Sequence, residues 1–370
     1  MSEKTLSIIV PSYDMEKYLP KCLGSLVVAP ELMERLEVLV VNDGSKDRTS
    51  EIAHGFEARY PGTFHVIDKP NGHYGSCINA ALPTVKGEYV KILDADDRYN
   101  TRELEIYLKW IEGKLAGEGP DLLINDVLTS DANRNCNFRY GYNLPKDANF
   151  TADYLFAHMP MLQIHAIAYR SRVFKGLGYR QTEGIPYTDL EWDTFPLMNV
   201  ESAAYCPEAV YHYYVGREGQ SMDKNVRRRN SSVALKLFLS AIRFAEHVEC
   251  NDCKRAYLDR YLRNLMASSY LDPMLALDVA SAMKFLTTVD ETIRAESKEW
   301  YEKASELKYP HRTPFGFHYV AAVREERLGW LYIKAFRLSK RLLDFVRILM
   351  MKMRRAPATA CNFQFSPYED

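Results

Sequence analysis

The stretch EYVKILDADD, residues 88–97, carries a β-rich run straight into three carboxylates, Asp94, Asp96 and Asp97, with only Ala95 between the first two. A strand that ends this abruptly opens on a polar loop. Acids packed so closely repel one another unless water, hydrogen bonds or a cation offsets the charge. Working outward, LSIIV (6–10), LEVLVV (36–41) and FHVID (64–68) read as three earlier strands. Between them lie helical patterns, the first with Tyr18, Leu19, Cys22, Leu23 and Leu26 on one face. Asp47 is placed to cap the second helix, and Asn100 with Glu103 has capping-box spacing ahead of a helix through Trp110. Continuous apolar strands alternating with helices predict an α/β fold, a mostly parallel sheet flanked by helices. Ligands of such sheets collect beyond the carboxyl ends of the strands. Pro11–Asp14, Asp43–Ser45, Asn71–Gly75 and Asp94–Asp97 all fall there. Four polar loops on one edge make a candidate site.

The bulk composition fits that reading. The chain has 370 residues, 47% hydrophobic and 26% charged, enough for one large or two modest globular domains. A net charge of -1 gives no general electrostatic case for nucleic acid, and no zinc-finger or RNA-binding signature appears. The N-terminus reads directly into a strand, without a secretory pattern, and no uncharged apolar run is long enough to span a bilayer. Seven scattered cysteines fit reduced thiols, and so a cytoplasmic setting. His247, Cys250 and Cys253 could supply three zinc ligands, but no fourth lies nearby, and helix thiols are the simpler reading. From about residue 121 the pattern becomes less regular, and after 226 it is helical to the end. This predicts one α/β domain over 1–225, in two halves of about 1–120 and about 121–225, and a helical C-terminal region over 226–370.

LSIIVPSYDMEKYLPKCLGSL, VLVVNDGSKDRT, KPNGHYGSCINAAL and EYVKILDADD stand in the order and spacing of the family 2 glycosyltransferases, which this chain resembles over roughly residues 5–220. The resemblance implies a GT-A fold and inverting transfer of a sugar from a nucleotide donor. It places Pro11, Tyr13, Asp14 and Asn71 around the nucleotide, and Asp43 on the base, commonly uracil. An ionised carboxylate only accepts hydrogen bonds, so Asp43 suits the N3–H donor of uracil. It also implies a divalent cation, manganese or magnesium, touched by Asp96, with Asp94 on the ribose or the metal's water shell. Oxygen ligands plus substrate phosphates suit either ion. Asp97 would cap or hold the turn that follows. An EF-hand is excluded, because no glycine and terminal glutamate follow at its spacing.

Inverting transfer needs a base, since an acceptor hydroxyl is a poor nucleophile until its proton is taken. In IPYTDLEWDTFPLM, Asp189 with Trp192 matches the family's base motif, while Thr188 replaces the first acid of its pair and Glu191 and Asp193 compete nearby. Downstream, YHYYVGREGQSM resembles the segment that closes over the diphosphate, with Arg217 on phosphate oxygens and His212 a further donor contact or a core residue. Two departures stand out: Ile78 where the family often has Arg, and Asp14 for the customary Asn. His73 and Tyr74 are then places where donor choice can differ.

The tail, Trp330–Arg355, is the most cationic part of the chain. Tyr332, Phe336, Leu343, Val346, Met350 and Met353 form an apolar stripe, widened by Leu338, Leu342, Phe345 and Leu349, with Lys334, Arg337, Lys340, Arg341 and Arg347 mostly opposite. Such a helix suits either the interface of an anionic membrane or packing against protein. The expected function is transfer of a single sugar, from a UDP-linked donor, to a hydroxyl of a glycan or lipid-linked acceptor in bacterial cell-surface polysaccharide or glycolipid synthesis. Peripheral contact on the inner face of the membrane would follow. The rivals are a sugar nucleotidyltransferase, which would need a Gly-rich phosphate loop after the first strand, and a non-catalytic binding subunit. A dehydrogenase lacks its Gly-X-Gly-X-X-Gly fingerprint here.

Overall fold

The computed structural model describes residues 4–131, 136–146, 148–158, 162–216, 230, 232–307, 318–324 and 329–353. All four strands expected before residue 93 are present: β1 (Lys4–Ser12), β2 (Leu36–Asn42), β3 (Phe64–Asp68) and β4 (Gly87–Ile92). β1 pairs in parallel with β2 and β4, and β2 with β3. Ile8, Ile9, Val10, Val38 and Val40 are buried, consecutive residues facing opposite sides of the sheet, so both faces are covered. Helices α1 (Leu19–Gly24), α2 (Pro30–Met33), α3 (Thr49–Arg59) and α4 (His73–Ala81) make the connections.

The sheet continues in the order β3-β2-β1-β4-β9-β6-β10-β5. β9 (Ile167–Arg170) lies antiparallel between β4 and β6 (Leu122–Asp131), and β10 (Ser202–Val215) runs parallel to β6. The parallel half is thus followed by a mixed half. Two reversals of direction leave the carboxyl ends of β1, β2, β3, β4, β6 and β10 on one edge. Short β5 (Arg98–Tyr99) carries the chain from the Asp94–Asp97 loop across to Tyr211 and His212 of β10. β7 (Cys136–Tyr140) pairs with β6, and β8 (Asn149–Thr151) with β10. Helices α5 (Thr101–Leu115), α6 (Ala152–His158) and α7 (Asp189–Trp192) complete this part.

The capping expectations need adjusting. Asn100 is the residue ahead of α5, but its side chain makes no capping bond. Glu103 instead faces Glu208 of β10 and raises that carboxyl, so tertiary contact wins over the local box. Asp47 acts from one residue further out than an N-cap. Its Oδ1 accepts from the backbone N–H of Thr49 (2.9 Å), while Oδ2 accepts from that of Glu16 (3.0 Å). It therefore serves the helix and the β1 loop together.

The chain divides into two compact units, Met1–Glu218 with Glu249–Tyr257, and Gly219–Val248 with Leu258–Asp370. The boundary expected at 225 lies outside the described residues. In the first unit Lys254 is buried, donating to the carbonyl of Met198 (3.1 Å) and pairing with Glu201. Cys250 and Cys253 are free thiols. The second unit is helical where described. Asp278 accepts from the N–H of Ser281 (2.9 Å) to start Val279–Glu296, and Arg324 holds both carboxylate oxygens of Asp290 at 3.0 Å. The tail is a helix over Gly329–Met353, and its side chains from Leu343 onward lie outside the described residues. Within the rest, the expected stripe is split. Of its described members Phe336 is buried and Tyr332 half-buried, whereas Leu338 and Leu342 are exposed; outside the stripe, Ile333 is buried and Leu331 exposed. No helix among the described residues is long and apolar enough to cross a membrane.

Candidate active site

Asp43 follows β2 and is buried. Parallel pairing of Asn42 with Asp68 brings the next residues, Asp43 and Lys69, side by side. Lys69 Nζ donates to Asp43 Oδ1 (2.5 Å), as does the backbone N–H of Gly72 (2.9 Å). Ser76 Oγ stands 3.5 Å from the same oxygen. These bonds hold one carboxylate oxygen and aim the group. Gly44 has φ +72°, and a Cβ there would lie 2.9 Å from the backbone N of Asn71, so glycine is required where the two loops meet. Asp14 is left-handed too, at φ +52°, which Asp and Asn tolerate best among non-glycine residues. Its backbone N–H donates to Ser45 Oγ (3.1 Å), and its Oδ1 accepts from the N–H of Lys46 (2.8 Å). Asp14 thus ties the β1 and β2 loops together. Pro11 sits half-buried at the end of β1, while Tyr13 and Asn71 are exposed on the same edge.

The acids after β4 take three different environments. Asp94 is fixed from two sides: Tyr74 OH donates to Oδ1 (3.0 Å), and His165 Nε2 lies 3.5 Å from Oδ2. Asp97 is buried, with Oδ2 accepting from Tyr211 OH (2.8 Å) and Oδ1 from the N–H of Tyr214 (2.8 Å). Burial, then the charges of Asp96 and Asp94, push its carboxyl well above the usual range. The role expected of Asp97, holding the following chain, takes the form of a brace onto β10. Asp96 is half-buried and lines a cavity of about 490 Å³. Ligand atoms of Asp94, Asp97 and His165 lie within 4.8 Å of one another, an arrangement able to hold a cation. Asp96, expected as the first metal contact, is outside that trio.

Asp189 opens α7 and is half-buried. Burial, then the charge of Asp94, raises its carboxyl from the usual value to about 6, with His165 acting in the opposite sense. Its two competitors are more deeply buried. Glu191 is fully buried and accepts from the N–H and Oγ1 of Thr182, both at 2.7 Å. Asp193 is buried and pushed well above the usual range by burial and then by Asp189, which favours its neutral form. Thr188 is fully buried, donating to Gln181 Oε1 (3.3 Å), so an acid there would enter an enclosed pocket. The segment is anchored to α4. Asn79 Nδ2 donates to the carbonyl of Gln181 (2.9 Å) and its Oδ1 accepts from that residue's N–H (2.9 Å). A Cβ on Gly75 would lie 2.3 Å from the carbonyl oxygen of Thr182, so glycine permits this close approach.

Sequence reasoning missed Lys69, His165 and Asn79. Ile78 is in the core, so its side chain offers no contact of the arginine type. His212 is a strand residue bonded to Ser130 Oγ (2.7 Å), and burial, then Arg98 and Lys21, lowers it to about 4. Arg217 lies outside the described residues.

Residues 7–178 match the family described as glycosyl transferase family 2. The chain carries a family 2 glycosyltransferase domain. Curated relatives of this chain include an uncharacterized glycosyltransferase of Mycoplasma pneumoniae, the MG025 homolog. It is 37% identical over 25% of this chain and 31% of its own length. Another, MG060 of Mycoplasma genitalium, is 25% identical over 59% of this chain and 71% of its own. A dolichyl-phosphate beta-glucosyltransferase of Trichomonas vaginalis, ALG5A, is 35% identical over 29% of this chain and 35% of its own. For the first and third of these the match spans about a third of the relative. The fold is that of S. aureus TarS 1–349, solved in complex with UDP-GlcNAc: TM-score 0.62, 19% identity, 91% of this chain and 92% of that one.

Proposed function

We propose that this chain is an inverting glycosyltransferase that moves one sugar from a UDP-linked donor to a hydroxyl of a glycan or lipid-linked acceptor. Bacterial cell-surface polysaccharide or glycolipid synthesis is the setting we infer. The observation that carries the reading is Asp189. It is a half-buried carboxyl raised to about 6, within electrostatic reach of Asp94 on the strand-end edge that also bears Asp43. A base with an affinity for protons near neutrality is what deprotonation of a sugar hydroxyl requires. The acceptor oxygen loses its proton to Asp189 and attacks the anomeric carbon from the face opposite the nucleotide. The bond from that carbon to the diphosphate oxygen breaks with inversion.

Asp43 orients the nucleoside by accepting the uracil N3–H, its other oxygen being held by Lys69 and Gly72. Pro11, Tyr13, Asp14 and Asn71 frame the base and ribose, and Arg217 is assigned to the diphosphate. The acids after β4 fit a divalent cation, manganese or magnesium, because three crowded carboxylates gain from one and His165 adds a nitrogen ligand. Asp94 and Asp96 would hold it, with His165 beside them, while both oxygens of Asp97 are already bonded. Such an ion supplies positive charge to the departing diphosphate. Incubation with a panel of nucleotide-sugars, with and without manganese, should release nucleoside diphosphate from a UDP-sugar, and Asp96→Ala should lose the metal response. Failure of every nucleotide to bind or react in either metal ends the reading.

The exposed Leu331, Leu338 and Leu342, with Lys334 and Arg341 on the same helix, favour peripheral contact with an anionic membrane surface. Six free cysteines among the described residues accord with the reducing, cytoplasmic side. Flotation of the full chain on vesicles containing anionic lipid, lost in Leu338→Glu/Leu342→Glu, is the expected result. Equal flotation of both proteins contradicts it.

A further inference from the structure

The cavity of about 490 Å³ beside Asp96 is a compartment of its own. Asp96 and Asp97 form part of its wall, but Asp43, Tyr74, Asp94, His165 and Asp189 do not line it. On the proposed function, the nucleoside contacts and the catalytic base fall outside this lining, and Asp96 is common to both.

Three cations, Lys17, Lys21 and Arg98, line this cavity opposite three carboxylates, Asp96, Asp97 and Asp131. None of them pairs with a carboxylate among the described residues. Arg98 is held in place all the same. Its guanidinium lies 5.1 Å from the centre of the Tyr214 ring, and Nη2 stands 3.4 Å from His212 Nδ1. Lys21 Nζ approaches the same ring at 5.8 Å. An arginine fixed by an aromatic face and a neutral imidazole keeps its donors for another acceptor. Burial, then the charges of Arg98 and Lys21, lowers the proton affinity of His212, so the ring beside Arg98 is neutral.

We propose that this cavity is an anion site that takes a phosphate group other than the donor's own diphosphate, carried by the acceptor. The proposal rests on the glycosyltransferase reading for its place beside the donor, but not for its chemistry. A phosphate held by Lys17, Lys21 and Arg98 would meet the diphosphate across Asp96 and set where the acceptor hydroxyl lies relative to Asp189. The guanidinium fork suits two phosphate oxygens, and the lysines add mobile donors.

The test uses the full chain saturated with UDP and manganese, so that the donor's own phosphate position is filled. Glycerol 3-phosphate and a prenyl phosphate in detergent are the probes, titrated by calorimetry. Binding of either to the UDP-loaded protein is expected, weaker at high salt, and the tighter arm names a soluble or a lipid-borne source. Lys17→Ala/Lys21→Ala, at exposed positions, should weaken that probe on the order of tenfold and leave UDP affinity unchanged. Arg98→Gln should do the same, provided its melting temperature is retained. No binding of either probe to UDP-loaded protein overturns the proposal, as does a double variant that loses UDP instead of the probe. If UDP itself fails to bind the native chain, the functional reading falls. Titration of the probes without nucleotide, native chain against the double variant, then decides the cavity on its own.

Discussion

Asp43 and Asp189 are both carboxylates drawn out of water on one edge of the first unit, and the chain treats them in opposite ways. Asp43 is given a cation, Lys69 at 2.5 Å, and a backbone N–H from Gly72. Among the described residues Asp189 receives no side-chain cation at bonding distance; it stands within the field of Asp94 and is raised to about 6. A carboxylate with a counter-charge suits recognition as an acceptor; one left in a negative field binds protons and suits a base. On the proposed function, counter-charge divides the labour between the two loops.

The contrast breaks most sharply at Asp189. Asp189→Asn should lower turnover about 10²–10⁴-fold while UDP still binds, measured by diphosphate release and calorimetry. The sign of its effect on stability runs the other way. A carboxyl raised from 3.8 to about 6 binds a proton more readily folded than unfolded, so stability falls as pH rises through that window. Above pH 6 the folded state carries up to about 3 kcal/mol of strain from this ionised group. Asp189→Asn should therefore melt higher than the native protein at pH 8 and approach it at pH 4. Lys69→Met is the matching change at the other carboxylate. It leaves Asp43 buried without its cation, should cost about 3 kcal/mol, and should weaken UDP. Tyr74→Phe comes last. It frees Asp94 Oδ1, and a loss of about 1 kcal/mol in donor binding, with little change in melting, is expected.

The two regions also differ in how much of them the sequence disclosed. The strands up to β4 were legible because each is a short apolar run ended by polar residues, and β3 was placed over its full extent, Phe64–Asp68. The loops at their ends follow from topology alone. Lys69 could have been found as well: in a parallel pair, the residue after Asp68 must sit beside the residue after Asn42. His165 could not. It precedes a buried strand, reads as a core residue, and reaches Asp94 only because β9 reverses against β4. The splitting of the tail stripe has the same origin. Periodicity reports which residues are apolar, not which of two faces finds a neighbour.

Whether Asp189 is the base of a UDP-dependent transfer is read most directly from the pH dependence of kcat/KM for diphosphate release. That role predicts an acid limb with an apparent pKa of about 6 in the native chain and only pH-insensitive residual turnover in Asp189→Asn. Full turnover in Asp189→Asn with the same acid limb would contradict it, and would move the base elsewhere on this edge.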